Sequence, residues 1–240
     1  MIPTIPPTKP ERHVPAYDGV LRSHMIHVPT IIADCTGIRI FGRRLKSFVF
    51  STDAAIIENI NADAVIAVYP FTPQPSITRA VLTVADMPVF VGIGRGTTSG
   101  YRSVRLGCDA EDQGAFGVVV NAPIPNEVIR DLRDNIDIPI VVTVVSENTD
   151  VSARVEAGAN IINVSAASKT TQVVAAIRRK YPHLPIIATG GPTNESIRQT
   201  IDAGANAITY TPPTTGELFK TLMNKHRQKI YDAEISYPLA

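Results

Sequence analysis

The chain has 240 residues, 44% of them hydrophobic and 19% charged, with a formal net charge of +1. That is enough material to bury a sizeable single core. A near-neutral balance gives no reason to expect a nucleic acid, and no apolar run approaches the ~20 residues of a membrane-spanning helix, so neither partner is expected. The cysteines Cys35 and Cys108 have no metal-type spacing and suit a reducing compartment. MIPTIPPTKPERHVP lacks the apolar centre of a secretion signal, and the expected location is cytoplasmic.

Residues 1–16 carry five prolines and read as an extended arm of polyproline II character. Prolines lower the entropic cost of docking such an arm on a neighbour, so a homo-oligomer joined through this segment is expected; the alternative is a disordered tail. From Tyr17 to Ile32, the positions of Val20, Leu21, Met25 and Ile26 suggest a helix interrupted near Pro29. Alternation on either side of Gly42 makes Gly37–Ser47 a small hairpin.

The chain then becomes regular. Apolar strands are expected at Phe48–Ser51, Ala64–Tyr69, Val89–Ile93, Phe116–Asn121, Ile140–Ser146, Ile161–Ser165, Ile186–Thr189 and Ala207–Tyr210. Stretches long enough for helices separate them, among them Asn126–Asn135 and Thr170–Lys180, and Thr215–Lys229 follows the last. Eight β/α units predict a closed (β/α)8 TIM barrel over residues 47–240. Residues 1–46 would form its N-terminal extension of arm, helix and hairpin, with the hairpin capping the barrel bottom. An open doubly wound sheet is the rival, but no Gly-x-Gly-x-x-Gly follows the first strand. A weak repeat supports the count. QGAFGVV, EAGANII and DAGANAI each end a helix and begin a strand, with glycine at the helix C-terminus.

The last two units contain the most telling stretch, PIIATGGPTNESIRQTIDAGANAITYTPPTT. A short strand runs into Gly190 and Gly191, then into a helix capped by Thr193 or Asn194, with Glu195 in its first turn. Free N–H groups and the helix dipole favour an anion at such a place; a plain tight turn is the alternative.

ATGGPTNESI followed by AGANAI resembles the phosphate-binding end of aldolase-type barrels, the group that includes thiazole synthase, ribulose-phosphate-binding enzymes and FMN-dependent barrels. Gly37–Ser47 running into FVFST is similar to the bottom-plugging hairpin and first strand of thiazole synthase. With its VYPFTPQP, VVNAPIPNE, VVSENTD and ATGGPT blocks, the whole chain resembles an uncharacterised bacterial aldolase-type barrel family carried under generic hydrolase labels. The resemblance implies the barrel fold and a phosphate site between the last two loops. It departs from the pattern at the end of the eighth strand, where Tyr210-Thr-Pro-Pro213 replaces the usual glycine.

In such a barrel the chemistry sits at strand C-termini. Here these places are rich in hydroxyls and amides, including Asn121, Asn163, Ser165 and Thr189, and all five histidines lie elsewhere, so no His-based metal centre or Ser-His-Asp triad is expected; hydrolysis would need water activated by a carboxylate or by a metal held on oxygens. Arg95, in a loop of three glycines, could clamp a phosphate or carboxylate, or be a solvated loop arginine. Lys169 stands near where some aldolase-type barrels carry an imine-forming lysine, or simply opens a helix. Glu147 could be a general base or a solvated turn carboxylate. Asn121 could orient a substrate carbonyl or satisfy loop backbone. Asp53 reads as a helix N-cap.

Glu147, Lys169 and Asn121 are therefore the catalytic candidates. Arg95, Ser165, Thr189, Gly190, Gly191, Thr193, Tyr210 and Thr211 are the candidates for holding an anionic small molecule. The favoured reading is a lyase- or isomerase-type enzyme acting on a small phosphorylated or carboxylated metabolite without a cofactor. The alternatives are a non-catalytic metabolite-binding regulator, a hydrolase, or an FMN-binding barrel.

Overall fold

In the computed structural model, the described residues are 13, 15–17, 19, 20, 24–94 and 98–236, with side chains described as far as residue 229. Most of the proline-rich arm lies outside them, as does Arg95. A hairpin comes first: β1 (Ile38–Ile40) pairs antiparallel with β2 (Arg43–Leu45). The two residues between them, Phe41 and Gly42, both have positive φ, which is the hairpin turn that matches strand twist.

Eight strands then alternate with eight helices: β3 (Ser47–Phe50), α1 (Ala54–Glu58), β4 (Ala64–Ala67), α2 (Pro75–Val84), β5 (Val89–Gly94), α3 (Tyr101–Asp112), β6 (Gly117–Val120), α4 (Asn126–Arg133), β7 (Ile140–Val144), α5 (Val151–Ala157), β8 (Ile161–Val164), α6 (Thr170–Lys180), β9 (Ile186–Thr189), α7 (Asn194–Asp202), β10 (Ala207–Tyr210) and α8 (Thr215–Ser236). The strands β3 to β10 are parallel and close into a barrel, with β10 beside β3. The expected strands are all present, each shifted by at most a few residues at its ends.

The helix expected between Tyr17 and Ile32 is not found over its described part. Ile26 instead forms a parallel bridge to Ile60, donating to the Asn59 carbonyl at 2.7 Å and accepting from the Asn61 N–H at 3.2 Å. Thr30–Asp34 turns as a 3-10 helix after Pro29. Proline drives the residue before it, Val28, toward extended backbone, and the chain found its hydrogen bonds on the barrel rather than within itself.

The hairpin plugs the N-terminal end of the barrel. Ile38, Ile40 and Leu45 join Phe48, Phe90 and Val119 in one buried cluster. Phe41 meets Phe116, just ahead of β6, edge to face at 5.1 Å. The Gly37 N–H donates to the Asn206 carbonyl, just ahead of β10, at 2.8 Å.

The same end is tied by side chains that stand immediately before a strand. Asn206 Oδ1 accepts the Ile186 N–H at 2.9 Å, and Asn160 Oδ1 accepts the Ile140 N–H at 2.8 Å. Asp63 Oδ2 accepts from Lys46 and Ser47 at 2.7 and 3.0 Å. The asparagines of the AGAN repeats thus extend the ladder between neighbouring strands, below the last backbone pair.

Inside, successive strand residues alternate between barrel axis and helix layer. With a stagger of about one residue per strand, the register stacks inward side chains in layers of four. The lowest holds Ala64, Gly117, Ile161 and Ala207, small enough to seat Phe48 and Phe90 of the next layer with Val141 and Ile187. A Cβ on Gly117 would lie 2.6 Å from the Phe90 ring. Above them come Ile66, Val119, Asn163 and Thr209, then Phe50, Gly92, Thr143 and Thr189. The apolar filling ends there on one side only. Toward the C-terminal face, β7 to β10 present hydroxyls and an amide, while β3 to β6 stay apolar.

Candidate functional site at the C-terminal mouth

A cleft of about 660 Å³ lies against the loops after β9 and β10 and reaches Ile197 of α7, Glu217 of α8 and Pro29 of the N-terminal segment. Thr189, Gly191, Asn194, Thr209, Tyr210 and Thr211 are among the residues that line it. The Gly190–Gly191 turn is shaped first by packing. A Cβ on Gly190 would meet Ile197 and Ile208 at 2.8 Å; Gly191 has φ +80°, and a Cβ there would meet Ser196 Oγ at 2.6 Å. A side chain at Gly191 therefore disturbs the helix start as well as any ligand.

Thr193 caps α7 and forms a reciprocal box with Ser196. Each side-chain oxygen accepts the other residue's N–H at 3.1 Å. The N–H groups of Gly191, Asn194 and Glu195 then have no partner among the described residues. They are the donors left for an anion, together with the positive end of the α7 dipole.

Beneath them, Thr209 is 7% exposed and lines the cleft, yet its Oγ1 has no partner among the described residues. Asn163, in the same layer, donates from Nδ2 to Thr143 Oγ1 at 3.2 Å and leaves its own buried Oδ1 unpaired. Buried polar atoms almost always find a partner in protein, water or ligand, so two such atoms unpaired by protein in one layer single that layer out. Neither Thr143 nor Thr209 was a sequence candidate. The signal was nonetheless present: each is a polar residue at an inward position of an otherwise apolar run.

The other candidates fall elsewhere on the mouth. Asn121 lines a small recess across the barrel with Val68, Tyr69, Phe71 and Gly92, its N–H held by the Gly94 carbonyl at 3.1 Å. Glu147 and Lys169 come together as an exposed ion pair at 3.9 Å on the rim. Glu147 faces a groove between α5 and α6 rather than the cleft, and Lys169 is the residue before α6. Ser165 is exposed, its N–H bonded to the Val144 carbonyl at 2.9 Å. Asp53 is the expected N-cap, accepting from Ala55 and Ile56 at 2.9 and 3.3 Å. It also accepts the Thr215 hydroxyl, which with the cap bonds holds its carboxyl below the usual range. Thr214 and Glu217 form a further box at the start of α8; the two Thr214 hydrogen bonds likewise depress the Glu217 carboxyl. No group of three His, Cys, Asp or Glu side chains among the described residues could hold a metal ion.

An eight-stranded closed parallel barrel with alternating helices and a bottom hairpin is a (β/α)8 TIM barrel. Solved structures of that architecture superpose on most of the chain. A phosphonopyruvate hydrolase bound to oxalate and Mg²⁺ is 13% identical, covering 82% of this chain and 88% of its own, with a TM-score of 0.58. 2,3-Dimethylmalate lyase, a member of the PEP mutase/isocitrate lyase superfamily, is 12% identical over 79% of this chain and 83% of its own, TM-score 0.55. The aldolase QR15 is 17% identical over 69% and 88%, TM-score 0.53. Identities this low carry the fold. A 64-residue segment, 25% of the chain, is 41% identical to inosine-5'-monophosphate dehydrogenase of Chlorobaculum parvum, and the match spans 13% of that enzyme's length. No protein-family model matches the chain. No helix among the described residues is long and apolar enough to cross a membrane.

Proposed function

We propose that this barrel is a lyase- or isomerase-type enzyme acting on a small metabolite that bears a phosphate or carboxylate. The observation that carries this reading is the cleft itself, with three unpartnered amides at the start of α7 above a buried, unpartnered Thr209. An anion seated there gains charge-assisted hydrogen bonds, each on the order of 1.5–3 kcal/mol before desolvation losses. Arg95, from the loop after β5, is proposed as its clamp, with Thr189, Tyr210 and Thr211 as walls. Glu147 and Lys169 are the proton-transfer or imine candidates, reached by a substrate lying across the rim, and Asn121 would orient a carbonyl from the far side. Aldolase, lyase and hydrolase names among the superposed structures, one of them holding oxalate, support the substrate class.

One observation favours a second reading, a non-catalytic metabolite-binding regulator. The polar side chains of the inner wall are all neutral, while Asp53 and Glu217 are occupied as caps. Titration calorimetry with inorganic phosphate, glycerol 3-phosphate and glycerate, followed by turnover assays on sugar phosphates and hydroxy acids, separates the cases. Turnover establishes the enzyme. Saturable binding without turnover favours the regulator, and no affinity for any of these anions at millimolar concentration overturns both. Absence of flavin absorbance after reconstitution removes the FMN alternative. We further propose a cytoplasmic homo-oligomer joined through residues 1–16; deleting them is expected to lower the light-scattering mass, and an unchanged mass rejects the arm as the joint.

A further inference from the structure

Thr209 lines the cleft, and Asn163 stands in the same inward layer; each carries a buried oxygen without a partner among the described residues. We infer that the ligand carries a hydroxyl at the end opposite its anion, and that Asn163 and Thr209 hold this hydroxyl inside the barrel; the inference rests on the proposed anion site at the start of α7.

The register places Asn163 and Thr209 in one inward layer, contributed by alternate strands on either side of β9. Their layer-mates Ile66 and Val119 are buried and apolar, so the two polar groups face a dry wall. Asn163 is fixed by its donation to Thr143, which leaves the carbonyl oxygen as an unmet acceptor. Thr209 Oγ1 offers one donor and an acceptor and has found neither. A ligand hydroxyl satisfies both at once: it donates to Asn163 Oδ1 and accepts from Thr209. With the amide turned over, the two roles exchange and the hydroxyl still fits.

A second anion is disfavoured there: the layer holds no charged side chain to offset the desolvation of a carboxylate, whereas a neutral hydroxyl is served in either amide orientation. The positive end of α7 lies above, at the rim, where it steers the anionic group upward and the neutral end down. The orphans also weaken the free protein, because a buried hydrogen-bonding group left unmade is a standing cost. A site kept at such a cost in two neighbouring residues reads as recognition.

The test uses the full chain and two phosphate monoesters that differ by one terminal hydroxyl, 3-hydroxypropyl phosphate and 1-propyl phosphate, with inorganic phosphate as the control for the rim. Calorimetry is expected to show 3-hydroxypropyl phosphate binding at least about tenfold tighter than propyl phosphate, because an analogue lacking the hydroxyl leaves buried polar groups unpaired. Thr209→Val should collapse that ratio to within about threefold, while its melting midpoint stays at or above that of the parent. Thr209→Ser, which keeps the hydroxyl, should preserve the ratio. Equal affinity of the parent for both esters overturns the inference and leaves the anion site standing, and so does a ratio that Thr209→Val does not change, the orphans then being served by water. If no phosphate binds, 3-hydroxypropionate is compared with propionate in the same way. Failure of every anion to bind overturns the proposed function and this inference together.

Discussion

Cys35 shows how one buried side chain writes itself into the pH dependence of the whole chain. It is 1% exposed, between the N-terminal segment and the barrel. Burial pushes its thiol up to about 11, with Lys46 opposing and Asp34 adding slightly. The folded chain therefore holds that proton more firmly than the unfolded chain, whose thiol titrates near ~8.5. This contribution to stability is complete below about pH 8.5 and is lost as the pH rises toward 11. Urea midpoints measured across that interval are expected to fall, and Cys35→Ala should flatten the fall; an equal slope in the variant would assign it elsewhere. At this scale the sequence was partly legible. Asp53 was readable as a cap and Gly191 as a turn. Thr143, Asn163 and Thr209 were not picked out as a group, because attention to strand ends passes over polar residues one position inside. What joins them is the barrel register, which no local pattern contains.

At the scale of elements, Asn206 does more than its repeat suggested. Its Oδ1 accepts from Ile186 and from Arg178, its Nδ2 donates to Thr36, and its carbonyl accepts from Gly37 at the hairpin. Asn160 makes the corresponding ladder bonds to Ile140 and, among the described residues, no others through its side chain. Asn206→Ala is accordingly expected to cost about 2–3 kcal/mol and Asn160→Ala about 1–2, since each leaves a strand N–H unpaired and only the first also removes bonds to Arg178 and Thr36. Equilibrium denaturation of the two variants checks the order, and equal losses would reject it. The AGAN repeat was legible as a stability feature through its glycine; the asparagine's reach to the preceding strand needed the fold. The segment before the hairpin misled for a related reason. Its helical spacing is real, but Pro29 and a bridge to Ile60 across the chain outweigh local preference.

Over the whole molecule, the two ends of the barrel are held by different means. Beneath, Asp63, Asn160 and Asn206 fasten strand to strand, and the hairpin closes the opening. Above, the strands end in loops whose polar groups are partly unspent, and α8 leaves the last of them exposed along its described length, with Phe219 at 65%. Folding and ligand recognition thus draw on separate sets of residues. An insertion in a loop at the mouth would cost little beyond closure entropy, which grows slowly with length, whereas the same insertion beneath would cut a clamp between strands. Descendants of such a chain can exchange one substrate for another by rewriting the upper loops, and the lower half will fold them all.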